Sequence, residues 1–246
     1  MNTQRMLLSV LLVLFVAPAT LPGQDLAPRG TAIELFNGKD LSGFYVFLKN
    51  HGKNNDPDHV FTVENGVIHV SGAEFGYIAT DKEYKNYRLT CQFKWGEAEH
   101  GEMVGKARDA GILYHFIGPD KVWPKSLEFQ ITEGGVGDFY MTDRASVSRD
   151  GITVTGPPDS AKILARFNKG PWKDVTGYRD PNGEVEKPHG QWNTLVLETY
   201  GNIAKHYVNG KLVNEGYNAN PDHGKIVFQS EGAEIYYRNI KLQPLR

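Results

Sequence analysis

The stretch Leu127-Glu128-Phe129-Gln130-Ile131-Thr132-Glu133 alternates apolar side chains with an acid and an amide, and Glu133 follows just past its end. A period of two marks a β-strand with one face in a core and Glu128 and Gln130 on the other. Shortly before it lies Asp109-Ala110-Gly111-Ile112-Leu113-Tyr114-His115-Phe116. By the same parity Ile112, Tyr114 and Phe116 share one face, and His115 falls on the opposite one. Two consecutive strands thus offer titratable groups to a shared face. Such a face can line a cleft, or it can be the solvated side of an antiparallel sheet.

The same pattern extends through the chain. Strands are expected at 33–36, 60–64, 67–70, 76–80, 87–95, 111–117, 126–132, 137–142, 163–167, 192–199, 203–208, 211–213, 225–230 and 234–242. Asn65-Gly66, Tyr200-Gly201-Asn202 and Asn209-Gly210 separate neighbouring runs, and Asn and Gly accept the positive φ that tight hairpins require. No later segment keeps a helical period beyond about two turns. So many alternating strands in one domain, without a short repeat, imply an all-β fold: a jelly-roll sandwich of two antiparallel sheets. The connections 95–110, 144–162 and 168–191 exceed ordinary loop lengths and are candidates for cleft walls.

At the start, Arg5 precedes an apolar run over 6–16 and then Ala17-Pro18-Ala19, the small-x-small pattern of a cleavage site. The run is too short to span a bilayer. Residues 1–20 therefore read as a signal peptide and 31–246 as the folded domain of an exported, periplasmic or extracellular protein. A mature chain of roughly 225 residues can bury roughly 70% of its unfolded surface without covalent staples. Cys91 is alone, on the apolar parity of Tyr87, Leu89, Phe93 and Trp95, as expected of an inert buried thiol. With 27 Lys and Arg against 29 Asp and Glu, the net charge of −2 gives no footprint for nucleic acid or an anionic membrane. The 11% aromatic content suits both a core and stacking on sugar rings, which points to a carbohydrate partner. Oligomeric state leaves no mark on the sequence.

Several blocks together resemble the 3-keto-disaccharide hydrolase family. They are Ile33-Glu34-Leu35-Phe36-Asn37-Gly38-Lys39-Asp40-Leu41-Ser42-Gly43-Phe44, the strands around His115 and Glu128, and Glu186-Lys187-Pro188-His189-Gly190-Gln191-Trp192-Asn193. His206-Tyr207-Val208-Asn209-Gly210 and Gln229-Ser230-Glu231-Gly232-Ala233-Glu234-Ile235-Tyr236-Tyr237-Arg238-Asn239-Ile240 complete the set. In relatives the first active strand often reads Asn-Ser-Gly-Ile, where this chain has Asp109-Ala110-Gly111-Ile112. The resemblance implies a concanavalin A-like sandwich that acts on glycosides already oxidised to a ketone at the third sugar carbon. A ketone there acidifies the proton on the second carbon, so cleavage can run by proton abstraction, elimination and hydration.

Such a route needs a base, an enolate stabiliser and an acid. Glu128 and His115 are the candidate base and acid, in either order, and Gln130 joins them on the presumed catalytic face. Lys94, of polar parity on the strand 87–95, is a candidate partner for hydroxyls or the enolate oxygen. The resemblance adds His206, Gln229, Glu231 and Arg238 to the substrate-binding set; Glu186 comes from the long connection, and Glu133 from the end of the central strand. No metal-binding spacing occurs in the sequence, although a divalent cation held by Glu128, His115 and Glu231 would clamp an enolate well. Two other readings compete. Glu128 and Glu133 match the outer acids of the E-x-D-x-x-E strand of laminarinase-type retaining glucanases, with Gln130 in place of the central acid; that mechanism requires the pair about 5–5.5 Å apart. A lectin-like module that binds glycan without chemistry would share the same fold.

Overall fold

The computed structural model describes residues 30–158, 163–165 and 171–246, so the export signal expected at 1–20 lies outside the described residues. In chain order the strands are β1 (Ile33–Glu34), β2 (Phe44–Leu48), β3 (Gly52–Lys53), β4 (Phe61–Glu64), β5 (Val67–Val70) and β6 (Gly76–Thr80). They continue as β7 (Tyr87–Glu99), β8 (Asp109–Ile117), β9 (Lys125–Thr132), β10 (Phe139–Thr142), β11 (Ser146–Arg149) and β12 (Ile152–Thr155). The last are β13 (Ile163–Ala165), β14 (Asn193–Tyr200), β15 (Ile203–Val208), β16 (Lys211–Asn220), β17 (Lys225–Ser230) and β18 (Ala233–Pro244). Among the described residues the one helical turn is a 3-10 segment, Gly101–Met103. No helix among them is long and apolar enough to cross a membrane.

The strands form two antiparallel sheets, the jelly-roll sandwich expected from the alternation. One has ten strands, ordered β12-β11-β16-β15-β14-β7-β18-β5-β4 with β1 on β18; the other has eight, ordered β13-β10-β9-β8-β17-β6-β2-β3. Strand β7 shows how parity builds the sandwich. Tyr87, Leu89, Cys91, Phe93 and Trp95 are buried, while Arg88, Thr90, Gln92 and Lys94 between them are half-exposed on the far side. They meet Ile112, Tyr114, Phe129, Ile131 and Phe228 of the eight-stranded sheet in one continuous core. Burying each such side chain contributes roughly 1.5–3 kcal/mol. Cys91 is fully buried within it, and burial pushes its thiol pKa up, as an inert thiol requires.

Four strands were not expected: β2, β3, β11 and β12. Phe44–Leu48 is an unbroken apolar run because both of its faces are covered: Phe44 and Leu48 join the inter-sheet core, and Tyr45 and Phe47 a second apolar cluster on the outer side of the sheet. Hairpin β11–β12 lies in the stretch 144–162 expected as a loop, turning at Asp150 and Gly151, both with positive φ.

Strand β8 carries the irregularity that matters most for the site. Its pairing with β9 slips between Tyr114 and Ile117, its pairing with β17 slips between Lys225 and Ile226, and His115 sits at φ 58°. A bulge adds one residue and reverses parity beyond it. Phe116 therefore joins the outer cluster with Leu113 and Tyr77, and His115 takes the inward place beside Tyr87. Gly224 permits this, since a Cβ there would come within 2.4 Å of the His115 carbonyl carbon.

Candidate active site

The outer face of the eight-stranded sheet carries two transverse rows of side chains. Directly opposed residues on antiparallel strands share a face. One row runs Tyr140, Glu128, Leu113, Val227, Ala79, Tyr45 across six strands. The other runs Gln130 and Gly111, then Gln229, Tyr77 and Phe47. Asp109 and Thr132 form the next pair beyond Gly111. Asp138, whose carbonyl accepts the Gln130 N–H at 3.0 Å, comes up beside Gln130. Acids and amides thus fill the β10-β9-β8-β17 half of the face, and aromatic rings fill the β6-β2 half.

Glu128, Gln130, Asp138 and Gln229 are all buried. The Glu128 carboxylate and the Gln229 amide converge over Gly111: Glu128 Oε1 and Gln229 Oε1 lie 2.1 and 2.3 Å from where a Cβ on Gly111 would sit. The absent side chain is what lets them meet. Gln130 uses its Oε1 on the Ile131 N–H at 3.2 Å, which leaves its Nε2, and the whole amide of Gln229, without a hydrogen-bond partner among the described residues. Buried amides held this way are donors awaiting an acceptor. Glu231, next in parity after Gln229, accepts from Trp123 Nε1 at 2.8 Å. Burial raises the Tyr237 hydroxyl pKa well above its ordinary value, with the charges of Cys91, Glu231, Glu128 and Asp109 adding to the shift.

Of the sequence-predicted residues, Glu128, Gln130, Gln229 and Glu231 gather here, and the others lie elsewhere. His115 is corrected by the bulge: its Nδ1 donates to the Pro221 carbonyl at 3.0 Å and its ring packs edge-on to Tyr87 and Tyr114, away from Glu128. Burial lowers its pKa to about 4. His206 lies between the sheets, stacked on Phe129, with Nδ1 on the Gly137 carbonyl at 3.0 Å and Nε2 on the Tyr114 hydroxyl at 3.1 Å. The carbonyl can only accept, so Nδ1 carries the proton and Nε2 accepts from Tyr114.

Lys94 and Arg238 are on the outer face of the ten-stranded sheet, the far side of the sandwich. Lys94 Nζ sits 4.9 Å from the Tyr236 ring, and the Arg238 guanidinium lies 3.9 Å over Trp192 while its Nε donates to Gln92. Glu133 turns to Arg108, pairing with its guanidinium at 2.9 Å and accepting the N–H groups of Arg108 and Gly177. Glu133 lies past the end of β9 and is committed to Arg108 and Gly177, whereas Glu128 meets Gln229 over Gly111. Glu186 neighbours Glu133 and Trp95. Burial first, then the charges of Glu184 and Glu133, pushes its pKa up to about 8, so it is protonated at neutral pH.

The cation site imagined for Glu128, His115 and Glu231 does not assemble, because His115 faces the core. Among the described residues His51, Asp58 and Glu74 bring ligand atoms within 4.8 Å of one another, but His51 and Glu74 already pair at 2.7 Å. Sequence reasoning missed Asp109, Gly111, Asp138 and Tyr140 as members of the site. Asp109 and Gly111 share the parity of Leu113 on β8, and that signal was available. Asp138 and Tyr140 needed the β9–β10 register.

A family profile described as a 3-keto-alpha-glucoside-1,2-lyase-like domain matches residues 31–243. Among solved structures, a candidate glycosyl hydrolase from Parabacteroides distasonis ATCC 8503 is 24% identical with a TM-score of 0.56, covering 87% of this chain and 94% of that one. A second from the same organism is 20% identical with a TM-score of 0.54, covering 88% and 100%. The kappa-carrageenase of Pseudoalteromonas carrageenovora, 12% identical, reaches a TM-score of 0.51 over 93% of this chain and 98% of its own. These likenesses show the fold, a two-sheet β-sandwich. No curated protein matches the chain.

Proposed function

This chain belongs to the family of 3-keto-alpha-glucoside-1,2-lyase-like domains, and from that premise we propose that it cleaves glycosides bearing a ketone at the third sugar carbon. Family membership supports a carbohydrate-active, glycosidase-type role, and the arrangement on the eight-stranded sheet supports the finer reading. Glu128 takes the proton from the second carbon. The electron pair forms an enolate, whose oxygen receives hydrogen bonds from the Nε2 groups of Gln130 and Gln229. Collapse of the enolate restores the ketone, forms a double bond between the first and second carbons, and expels the glycosidic oxygen. One of the acids on the same face, Asp109, Asp138 or Glu231, supplies the proton to the leaving oxygen. Water then adds across the double bond, its hydroxyl to the first carbon and its proton to the second. The products are a free 3-keto sugar and an alcohol.

The observation that carries this reading is the convergence of Glu128 and Gln229 over Gly111, next to the Gln130 amide. A site that only bound neutral sugar would have no use for so many buried carboxylates. Incubation with a plain disaccharide and with its 3-keto derivative provides the test: turnover is expected of the ketone alone. Glu128→Gln should lower kcat by about 10²–10⁴-fold with the circular dichroism spectrum unchanged, whereas activity within about threefold of the parent protein removes Glu128 from the mechanism. We also propose export, on the strength of Arg5, the apolar run and Ala17-Pro18-Ala19. Amino-terminal sequencing of the protein secreted by its native cell should begin beyond residue 19.

A further inference from the structure

The connection between β8 and β9, residues 118–124, reaches across the outer face of the eight-stranded sheet as far as the tyrosines of β2 and β6. Asp120 lies at the tips of two tyrosines that stand on that face. Its Oδ1 accepts from the Tyr45 hydroxyl at 2.6 Å and from the Tyr77 hydroxyl at 2.8 Å, and Lys53 Nζ reaches Oδ2 at 3.3 Å. Beneath it Tyr77, Phe116, Leu113 and Val227 are nearly inaccessible to solvent although they point away from the inter-sheet core. Lys53 and Lys225 complete the cover, their ammonium groups 3.6 and 4.4 Å from the Tyr45 ring centre. Farther along, Lys121 pairs with Asp143 at 2.6 Å and Trp123 bonds to Glu231 and meets Phe75 edge-on. Burial alone would raise the Asp120 pKa, but the hydrogen bonds from Tyr45, Tyr77 and Lys53 hold it below its usual range, so the latch is charged at neutral pH.

This segment crosses both transverse rows. On an open sheet of this type a sugar chain would lie along such rows, one strand about every 4.8 Å, and pass from β10 toward β3. Here the β6-β2 half is filled by rings and roofed by Asp120. We infer that residues 118–124 are a strap that converts the groove into a pocket closed on the β6-β2 side, and that Asp120 is the specificity-determining residue which confines the site to a sugar unit at a chain terminus. Asp120 touches no reacting atom. It acts by holding the wall in place.

The inference rests on the proposed saccharide site but not on its chemistry, and two measurements keep them apart. In the first, the parent protein is given a terminal 3-keto disaccharide and a trisaccharide with the keto unit internal. A preference of at least about tenfold in kcat/KM for the former is expected. Asp120→Ala, and separately Tyr45→Phe with Tyr77→Phe, should cut that preference by about tenfold by raising activity on the internal unit, leaving the disaccharide rate unchanged; Asp120→Asn, which keeps an acceptor, should restore most of it. In the second, calorimetry with unoxidised gluco-oligosaccharides should show no gain in affinity from two units to four for the parent and a clear gain for Asp120→Ala. If neither keto substrate turns over but the length dependence appears on mutation, the strap stands and the elimination reading falls. Equal use of both substrates by the parent, an unchanged preference in a folded Asp120→Ala, or no saccharide binding by either protein overturns the strap.

Discussion

Gly111 is the residue on which the site turns. Its neighbours Glu128 and Gln229 occupy the volume a side chain would need, with approaches of 2.1 and 2.3 Å. Gly111→Ala must therefore push one of them aside while leaving a strand-compatible backbone. We expect kcat to fall by about 10²-fold, the cost of misplacing a reacting group by an ångström, while the melting temperature moves by only a few degrees. Unchanged turnover would show that the convergence is incidental. At this scale the sequence was readable where parity alone decides, since Glu128 and Gln130 are polar positions between core residues, while Gln229 came only from the family resemblance. It misled where parity was carried across an irregularity. His115 was assigned to the catalytic face by counting along a regular strand, and nothing in Tyr114-His115-Phe116 announces the extra residue. Histidine tolerates a positive φ better than most residues, but that tolerance alone does not mark a bulge.

Among elements, β8 shows how a bulge chooses between two uses of one strand. Up to Leu113 the outer face is polar and serves the site; beyond the bulge Phe116 lies on it and serves the roofed cluster. His115 is the side chain turned inward to permit this, and it pays in titration. Its folded pKa of about 4 lies below the ordinary 6.5. Both states are neutral above pH 6.5; below it the unfolded chain gains a proton that the folded one resists, so stability falls as the pH drops toward 4. His115→Asn keeps a side-chain donor and tolerates the left-handed backbone. Denaturant titrations should show the parent losing on the order of 1–3 kcal/mol more than the variant across that window, with the two proteins equally active at pH 7. A variant with the same pH profile as the parent would mean that His115 is not the titrating group. The strands missed from sequence had different causes: β11–β12 alternates but lies in the long stretch 144–162 expected as a loop, and β2 does not alternate. Alternation reports a strand wet on one side, and β2 is covered on both.

For the molecule as a whole, the sandwich was legible because its ladder is long and regular: β7 alone alternates over Tyr87 to Trp95, and the partners it meets alternate in turn. The pairing order was not legible, since nothing local tells β17 to sit between β8 and β6. That order brings Gln229 to Gly111, so the site is a property of topology more than of any motif. The same wholeness makes Cys91 a reporter. It is fully inaccessible at the centre of the core, and burial raises its thiol pKa. A disulfide reagent should leave the native protein unlabelled and modify it only at the rate of global opening, matching the unfolding limb measured in denaturant. Fast labelling in native buffer would place Cys91 in a locally opening region instead.

The bond from Trp123 to Glu231 has a spectroscopic consequence. An indole whose N–H is held by a carboxylate emits according to that partner, and this one is held by Glu231, a member of the proposed site. On the proposed reading, a sugar that recruits Glu231 should take this anion from the indole and shift its emission above the background of the other three tryptophans. The Trp123 to Glu231 bond would then be an optical gauge of occupancy, for inert saccharides as well as for reactive ones.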